Sequence, residues 1–302
     1  MKYYVYFIVL LISLLSSCKN QSRDNKSEEI KKANTERNEN AFKVGVTPTL
    51  DCLPIFLLKD SILYDTAKVD IKLKLFTSQM DCDTAMLRYR VQACVTDLIR
   101  CERLKHKFNL PLIYLTETNA NWQLIVNKES KIKKLSDLSD KIIAMSRFSI
   151  TDYLTDKVID KAKPKYSVYK SQINNVFIRL DMLLNNEMDA IWCTEPQTSK
   201  AIKNGGKIIY DSKTDDFHPG ALVFIDNITN YQKLIAFKQA YNKAVDLINK
   251  HGIKYYGKII VKYMNVDEDV VKRLPKLTFK TIVAPRRVDI LKAQKINAIK
   301  SS

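Results

Sequence analysis

The sequence has few of the residues that build metal and redox sites. Only 3 of its 302 residues are histidine, and the 6 cysteines show no Cys-x-x-Cys spacing. Structural zinc sites and thioredoxin-like redox sites use closely spaced cysteine or histidine pairs, so neither is indicated. The helix-turn-helix, zinc-finger and aromatic RNA-binding signatures of nucleic-acid-binding proteins are also missing. We therefore expect no metal, no cofactor and no nucleic-acid partner.

The composition is that of an ordinary folded protein. Hydrophobic residues make up 46% of the chain and charged residues 27%. These shares exclude a disordered chain, a collagen and a polytopic membrane protein. A length of 302 residues fits about two domains of roughly 150 residues each.

Positive charge is in excess. Lysine and arginine number 50 against 33 aspartates and glutamates, a net charge of +17, and residues 250–302 alone hold 13 basic and 4 acidic side chains. These basic residues are scattered along amphipathic segments rather than gathered in one block, which is typical of a solvated surface. Net charge says nothing about fold, so motifs have to identify the partner.

Residues 1–17 have the layout of a signal peptide. Lys2 precedes an apolar stretch over residues 3–15 that is too short to span a bilayer comfortably. The sequence Leu15-Ser16-Ser17-Cys18 resembles the lipobox of bacterial lipoproteins. That resemblance implies cleavage before Cys18, a diacylglycerol on its thiol, and an extracytoplasmic protein anchored to a bacterial membrane. An uncleaved membrane anchor with a stray cysteine is the alternative.

The segment that follows Cys18 has almost no apolar side chains up to residue 40. Such a segment cannot bury a core, so we interpret residues 18–40 as a lipidated flexible tether. Five cysteines remain for the folded part. Most of them are expected to be small apolar fillers, and whether Cys52 and Cys82 form a disulfide in an oxidising compartment is left open by the sequence.

Short apolar runs alternate with amphipathic segments from residue 41 onward. The runs predict strands at 42–46, 71–76, 91–95, 112–115, 123–126, 141–145, 190–193, 207–210 and 221–225. Helices are predicted at 52–63, 97–108, 151–162 and 230–251. This alternation predicts an α/β protein with mostly parallel sheets and helices on both faces.

Ligands of such open sheets bind beyond the carboxyl ends of the strands, where loops lead into helix N-termini. The loops at these positions are rich in hydroxyl groups. They read Thr47-Pro48-Thr49, Thr77-Ser78-Gln79, Thr96-Asp97, Ser146-Arg147-Phe148-Ser149 and Thr194-Glu195-Pro196.

An ordered set of segments resembles the solute-binding proteins of ABC importers for nitrate, alkanesulfonates, taurine and the thiamine pyrimidine precursor. The segments are Val44-Gly45-Val46 through Pro54, Val95-Thr96-Asp97-Leu98, residues 134–144 and 182–190, Thr194-Glu195-Pro196 followed by Gly205-Gly206, and residues 274–290. Two turns depart from the family pattern, because Asp140 and Asn186 stand where the family has glycine. Asp and Asn tolerate the left-handed conformation, so the turns can survive.

The resemblance implies the periplasmic binding protein type II architecture: two doubly wound α/β lobes joined by two crossing segments, with a cleft that closes on a solute. We place lobe 1 at 41–122 and 222–302 and lobe 2 at 123–221. The implied partners are a small polar solute, an ABC permease and its ATPase, and we expect a monomer without enzymatic activity.

The strand-end residues are the candidate ligand-binding residues. Ser149 begins a helix with Asp152 three residues later, so it could simply cap the helix or leave backbone N–H groups free for an anion. Phe148 could stack on a planar solute or fill the core. The remaining candidates are Thr49, Ser78, Thr96, Asp97, Ser146, Thr194 and Glu195.

Charge in the cleft decides the class of solute. Carboxylates of Asp97 and Glu195 in the cleft would favour a solute with hydrogen-bond donors, although Asp97 could also be a helix cap. Arg147 or His218 in the cleft would instead favour a sulfonate, a carboxylate or nitrate.

Two other classes of function remain open. Menaquinone-pathway enzymes and thiamine-pyrimidine synthases have the same two-lobe architecture, but this sequence lacks the cysteine-rich iron motif of the latter and has an export signal. A sensory lipoprotein that reports to a partner other than a transporter is the third hypothesis.

Overall fold

The computed structural model describes residues 41–226 and 231–301. The predicted signal peptide, Cys18 and the tether lie outside the described residues. Residues Phe42–Ser302 form one compact unit. Within the part that is described, no helix is both long and apolar enough to cross a membrane.

The described chain alternates strands and helices as the sequence predicts. The strands are β1 (Phe42–Val46), β2 (Ile71–Leu75), β3 (Ala93–Asp97), β4 (Leu112–Glu117), β5 (Gln123–Val126), β6 (Ile142–Met145), β7 (Tyr169–Gln172), β8 (Ala190–Cys193), β9 (Lys207–Asp211) and β10 (Gly220–Ile225). The helices are α1 (Leu53–Asp60), α2 (Gln79–Leu87), α3 (Leu98–Phe108), α4 (Ile150–Ala162), α5 (Val176–Leu184), α6 (Gln197–Lys203), α7 (Tyr231–His251), α8 (Gly257–Met264), α9 (Glu268–Arg273) and α10 (Arg287–Ser301).

The strands form two five-stranded sheets. The first has the order β2-β1-β3-β10-β4 and the second the order β7-β6-β8-β5-β9. β10 pairs antiparallel with β3 and β4, and β5 pairs antiparallel with β8 and β9. Four strands of each sheet therefore run in one direction, which confirms the predicted mostly parallel arrangement.

The chain passes between the sheets twice, at residues 118–122 and 212–219. The two passages meet at Gly220, where the backbone N–H of Thr118 donates to the Gly220 carbonyl at 2.9 Å. A side chain cannot fit there, because a Cβ on Gly220 would lie 2.3 Å from Thr118 Oγ1. β5 follows the first passage and β10 follows the second. Each of them is the antiparallel strand of the sheet that it enters.

Apolar residues on both faces of the first sheet are buried by helices. One apolar face of α7 is buried, including Phe237, Tyr241 and Val245, and it packs with Phe42 of β1. α10 packs against α3 on the other face. Gly252 follows α7 with a φ of 78°, a left-handed conformation that glycine adopts without strain.

Two turn predictions are confirmed, because Asp140 and Asn186 have φ angles of 59° and 61°. The strand β7 was not predicted from the sequence. Its residues Tyr-Lys-Ser-Gln are mostly exposed, since it is an edge strand that buries no continuous apolar face. The predicted helix 52–63 is shorter, ending at Asp60.

All five cysteines of the folded unit are buried free thiols. Cys52 and Cys82 belong to different apolar clusters. The disulfide that the sequence left open is therefore not formed in this structure.

Candidate functional site

A cavity of about 80 Å³ lies where the carboxyl ends of strands from both sheets meet. We call it the central cavity. Residues after β1 and at the end of β3 in the first sheet, and residues after β6 and β8 in the second sheet, line it. Six of the predicted binding residues line the central cavity: Thr49, Thr96, Asp97, Ser146, Ser149 and Thr194.

Asp51 provides a buried carboxylate on the first-sheet side of this cavity. Its Oδ1 accepts a hydrogen bond from Thr49 Oγ1 at 2.5 Å, and its Oδ2 accepts one from Thr118 Oγ1 at 3.1 Å. Burial raises the pKa of Asp51, and the bonds from Thr49 and Thr118 partly oppose that effect. Asp51 therefore links the cavity to the passage between the sheets.

Asp97 ends β3 and caps α3, because its Oδ1 accepts a hydrogen bond from the backbone N–H of Arg100 at 3.0 Å. Burial raises the pKa of Asp97 to about 6, against the lowering effects of the Arg100 charge and of backbone N–H groups of Arg100 and Ile150. Ile150 is the first residue of α4. The capping role of Asp97 at α3 is thus confirmed. The same carboxylate also faces the N-terminus of α4, on the second-sheet side of the cavity.

The start of α4 forms the hydroxyl-rich part of the second-sheet wall. Ser149 accepts a hydrogen bond from the Thr151 N–H at 3.1 Å and donates to the Ser146 carbonyl at 2.7 Å. The Thr151 hydroxyl accepts a hydrogen bond from the Ser146 N–H at 3.0 Å. Ser149 is therefore the helix cap, and these bonds fix the hydroxyl groups that face the cavity.

Arg179 on α5 is the positive charge of the central cavity. Its side chain is buried, and Nη1 donates to Ser146 Oγ at 3.3 Å and to the Ile173 carbonyl at 2.9 Å. Among the described residues, no atom accepts a hydrogen bond from Arg179 Nε and no carboxylate forms an ion pair with Arg179. Burial lowers the pKa of Arg179. A guanidinium that is buried without a counter-ion is rare, because desolvating the charge is costly.

Two further polar atoms at the cavity are buried without a hydrogen-bond partner in the described chain: Thr96 Oγ1 and Gln197 Oε1. The amide nitrogen of Gln197 donates to the Pro48 carbonyl at 3.0 Å and to the Met264 carbonyl at 3.2 Å, which fixes the orientation of the side chain. Buried polar atoms are normally satisfied, so such atoms around one cavity indicate a binding site for a polar solute.

Hydrogen bonds join the two sides of the cavity directly. The Leu50 N–H donates to the Glu195 carbonyl at 2.9 Å, and the Val176 N–H donates to the Thr77 carbonyl at 2.9 Å. Arg100 Nη1 donates to the Arg147 carbonyl at 3.2 Å. The loops and helices at the strand ends of the two sheets therefore contact each other around the cavity in this structure.

Three predicted residues lie outside the central cavity. Ser78 is buried and caps α2 by accepting from the Asp81 N–H at 3.3 Å. Phe148 is partly exposed and has a φ of 58°, with the Arg103 guanidinium 3.7 Å from its ring centroid. Glu195 lines an adjoining cavity, and its Oε2 accepts from the Ser199 N–H at 3.1 Å.

The basic residues considered from the sequence do not supply the positive charge of the central cavity. Arg147 is exposed, and His218 lines a different cavity near Glu117 and Lys280. Arg179 was missed because it lies inside a helix rather than at a strand end. The signal that could have revealed the helix is Asn175, whose side chain caps α5.

No group of three or more histidine, cysteine or acidic side chains is placed to hold a metal ion in residues 41–226 and 231–301. The arrangement instead offers hydroxyl groups, two buried carboxylates and one guanidinium. It can bind and orient a polar solute.

The structure is similar to several solved structures of ligand-binding proteins. The ligand-binding component of an ABC-type import system from Staphylococcus aureus, solved with zinc bound, has a TM-score of 0.73 and 15% identity over 87% of this chain and 92% of that one. The alkanesulfonate-binding protein from Xanthomonas axonopodis pv. citri, bound to MOPS, has a TM-score of 0.71 and 14% identity over 86% and 92% of the two chains.

The periplasmic nitrate-binding protein from Synechocystis PCC 6803 has a TM-score of 0.67 and 12% identity over 80% of this chain and 74% of that one. A comparison with curated protein sequences finds no significant match. At these identities the structural similarity shows the fold, which is the α/β periplasmic binding protein fold expected from the sequence.

The family follows from the sequence itself, because the model of the family described as NMT1/THI5 like matches residues 54–261. The chain belongs to this family. The family resemblance inferred from the strand-end motifs is thereby confirmed.

Proposed function

We propose that the protein is an extracytoplasmic receptor that captures a small solute with an acidic group and delivers it unaltered to an ABC permease and its ATPase. The solute binds in the central cavity, between a lobe built on the first sheet and a lobe built on the second sheet. The solute binds the closed arrangement of the lobes more tightly than the open one, and this difference in binding free energy drives closure.

Arg179 is the observation that carries this proposal. Its charge is buried at the cavity wall, and within the described chain it has no carboxylate partner. An acidic group of the solute would accept from the free Nε and compensate the buried charge. The hydroxyl group of Ser146, which accepts from Arg179 Nη1, stands beside it and would donate its own proton to the same acidic group.

The structural neighbours support an acidic solute, because two of them bind an alkanesulfonate and nitrate. Both ligands are anions. A guanidinium without a counter-ion favours these classes over an uncharged pyrimidine.

The anchor is part of the same proposal. Acylation of Cys18, with a further chain on its amine, would hold the receptor at a bacterial membrane, since two lipid chains exceed the threshold for stable anchoring. The tether to residue 40 would leave the folded unit free to meet the permease.

Calorimetric titration of the full chain in dodecyl maltoside with ethanesulfonate tests the role of Arg179. The neutral isostere ethanesulfonamide is the matched ligand. We expect ethanesulfonate to bind more tightly, and Arg179→Gln to weaken its binding by about a hundredfold, because a charge-assisted bond in a buried site is lost.

Arg147→Gln is the matched control, since this exposed arginine lies in the loop between β6 and α4 and does not line the central cavity. It should bind ethanesulfonate as the unmodified protein does. Equal affinity for the two ligands, or an unchanged affinity in Arg179→Gln, would contradict the proposal.

A further inference from the structure

The C-terminal helix α10 is apolar on two sides. Its inner side packs against α3, where Ala293 and Ile296 are buried. On its outer side, Val288, Leu291 and Ile299 are 58%, 46% and 76% exposed. At 3.6 residues per turn these three side chains share one side of the helix, which we call the outer face of α10. A helix that is apolar all round is normally covered all round, so the outer face indicates a contact with something outside the described chain.

Helix α7 provides a comparison, because it covers the opposite face of the same sheet. Ile235 of α7 is 53% exposed. The exposed side chains that follow it on the same side of this helix are polar, namely Gln239, Lys243 and Asp246. A single exposed isoleucine is ordinary for a protein surface, whereas a row of three apolar side chains marks an interaction surface.

The exposed charges of the layer formed by α3 and α10 have one sign. The acidic residues in the described part of these helices are Glu102 and Asp289, and they are only 0% and 1% exposed. Asp289 Oδ2 accepts a hydrogen bond from Arg286 Nε at 2.7 Å, and Glu102 Oε2 lies 3.0 Å from His106 Nε2. The basic residues of the two helices that are at least partly exposed are Arg103, Lys105, Lys107, Arg287, Lys292 and Lys295. This layer therefore attracts an anionic partner.

The surface of an anionic bilayer combines the two properties that this layer requires. Its headgroups attract basic side chains, and apolar side chains enter the boundary between the headgroups and the acyl chains. The length of the chain before the described residues favours the same partner. Between Cys18 and Ala41 lie 22 residues, which reach at most roughly 75 Å when extended. A chain anchored at Cys18 thus allows α10 to meet the bilayer that holds the anchor.

We propose that the outer face of α10, together with the basic side chains of α3 and α10, lies on the anionic phospholipid surface of the membrane to which the chain is anchored. This inference takes the anchor from the proposed function and goes beyond it, because it assigns one face of the folded unit to the membrane. Three apolar side chains are at most comparable to one acyl chain, which gives only reversible binding. The contact therefore orients a tethered receptor and does not retain an untethered one.

A fluorophore on α10 tests this contact in the full, lipidated chain. A nitrobenzoxadiazole group is attached to the thiol of Leu291→Cys, which is accessible because the five native cysteines of the folded unit are buried. The protein is reconstituted with vesicles of phosphatidylcholine alone or of phosphatidylcholine mixed equally with phosphatidylglycerol. We expect quenching by doxyl-labelled lipid to be about twofold stronger in the mixed vesicles and to weaken in high salt, because anionic headgroups attract the basic layer.

Ile235→Cys with the same fluorophore is the matched control, since Ile235 is an exposed isoleucine on the opposite face of the first sheet. Its label should stay unquenched in both kinds of vesicle. Adding Arg287→Glu and Lys295→Glu to the labelled Leu291→Cys protein should abolish the quenching. Both side chains are exposed, so the fold should be retained, and thermal unfolding checks this.

Sedimentation of the vesicles separates this inference from the proposed anchor. If the labelled chain sediments with vesicles of neither composition, the anchor fails and the inference fails with it. If the chain sediments but the label on α10 is not quenched, the inference is wrong and the anchor stands. Equal quenching with and without phosphatidylglycerol, or equal quenching of the two labels, also overturns it. A label that is shielded only at high protein density, without lipid quenching, would identify a second copy of the chain as the partner and would overturn it as well.

Discussion

The two buried arginines of the folded unit differ in what surrounds them. Arg100 on α3 forms an ion pair with Asp83, whose pKa is raised by burial against the opposing effect of the Arg100 charge. Arg179 has no such partner in the described chain, and it faces the central cavity. The presence of a counter-ion thus marks Arg100 as a structural arginine, whereas the lack of one is the basis of the binding role that we propose for Arg179.

Stability measurements should separate these roles. Arg100→Gln should lower the free energy of unfolding by about 3–5 kcal/mol, because it leaves buried carboxylates uncompensated. Arg179→Gln should leave the free energy of unfolding unchanged or raise it, since it removes a buried charge without a partner. Urea unfolding of both variants without solute checks this, and an equal loss in the two variants would contradict it.

Asp97 should make stability depend on pH. Its pKa is raised to about 6 from an ordinary value of 3.8, so the folded protein holds the proton more tightly than the unfolded chain does. Ionised Asp97 therefore lowers the free energy of unfolding. This loss has its full size above pH 6, shrinks as the pH falls, and vanishes below the pKa that Asp97 has in the unfolded chain. At pH 7 it amounts to roughly 3 kcal/mol.

Asp97→Asn should therefore be more stable than the unmodified protein at pH 7, and the difference should fade towards pH 4. The amide oxygen of asparagine can still cap α3, which keeps the comparison clean. Unfolding curves of both proteins from pH 7 to pH 4 measure the difference. A difference that stays constant over this range would refute the assignment.

At the scale of elements, the junction between the two passages leaves no room for a Cβ at Gly220. Gly220 begins β10, and a Cβ there would displace Thr118, which donates to Asp51 of the central cavity. The strands themselves were predictable, because β1, β5 and β8 are apolar runs in the sequence. The edge strand β7 was not predictable, because its residues show no apolar run. It becomes a strand only because the fold places it beside β6.

Gly220→Ala should lower the free energy of unfolding by about 1–3 kcal/mol through steric overlap with Thr118 and Ala120. It should also weaken solute binding, because Asp51 loses its Thr118 partner. Gly257→Ala is the control, since a Cβ there comes no closer than 3.1 Å to Val271. Thermal unfolding of the two variants measures the contrast, and similar melting temperatures would contradict it.

At the scale of the whole molecule, the proposed anchor at Cys18 is tested separately from the proposed binding site. Cys18→Ser should remove lipidation and shift the protein from the membrane fraction to the soluble extracytoplasmic fraction. Fractionation of cells with labelled fatty acid measures both effects. The Cys52→Ser variant should remain in the membrane fraction, because Cys52 is buried in the folded unit. Retention of Cys18→Ser in the membrane would favour an uncleaved anchor.

The sequence by itself determined the alternation of strands and helices, the family, and most strand-end residues that line the cavity, because these depend on local periodicity and short motifs. Thr49, Thr96, Asp97, Ser146, Ser149 and Thr194 were found in this way. Only the tertiary structure decided that Arg179 supplies the positive charge of the central cavity, that Glu195 lines the adjoining cavity, and that Phe148 stacks against the Arg103 guanidinium. The reason is physical: burial and the lack of a counter-ion are properties of the space around a side chain, and helices and loops distant in sequence create that space.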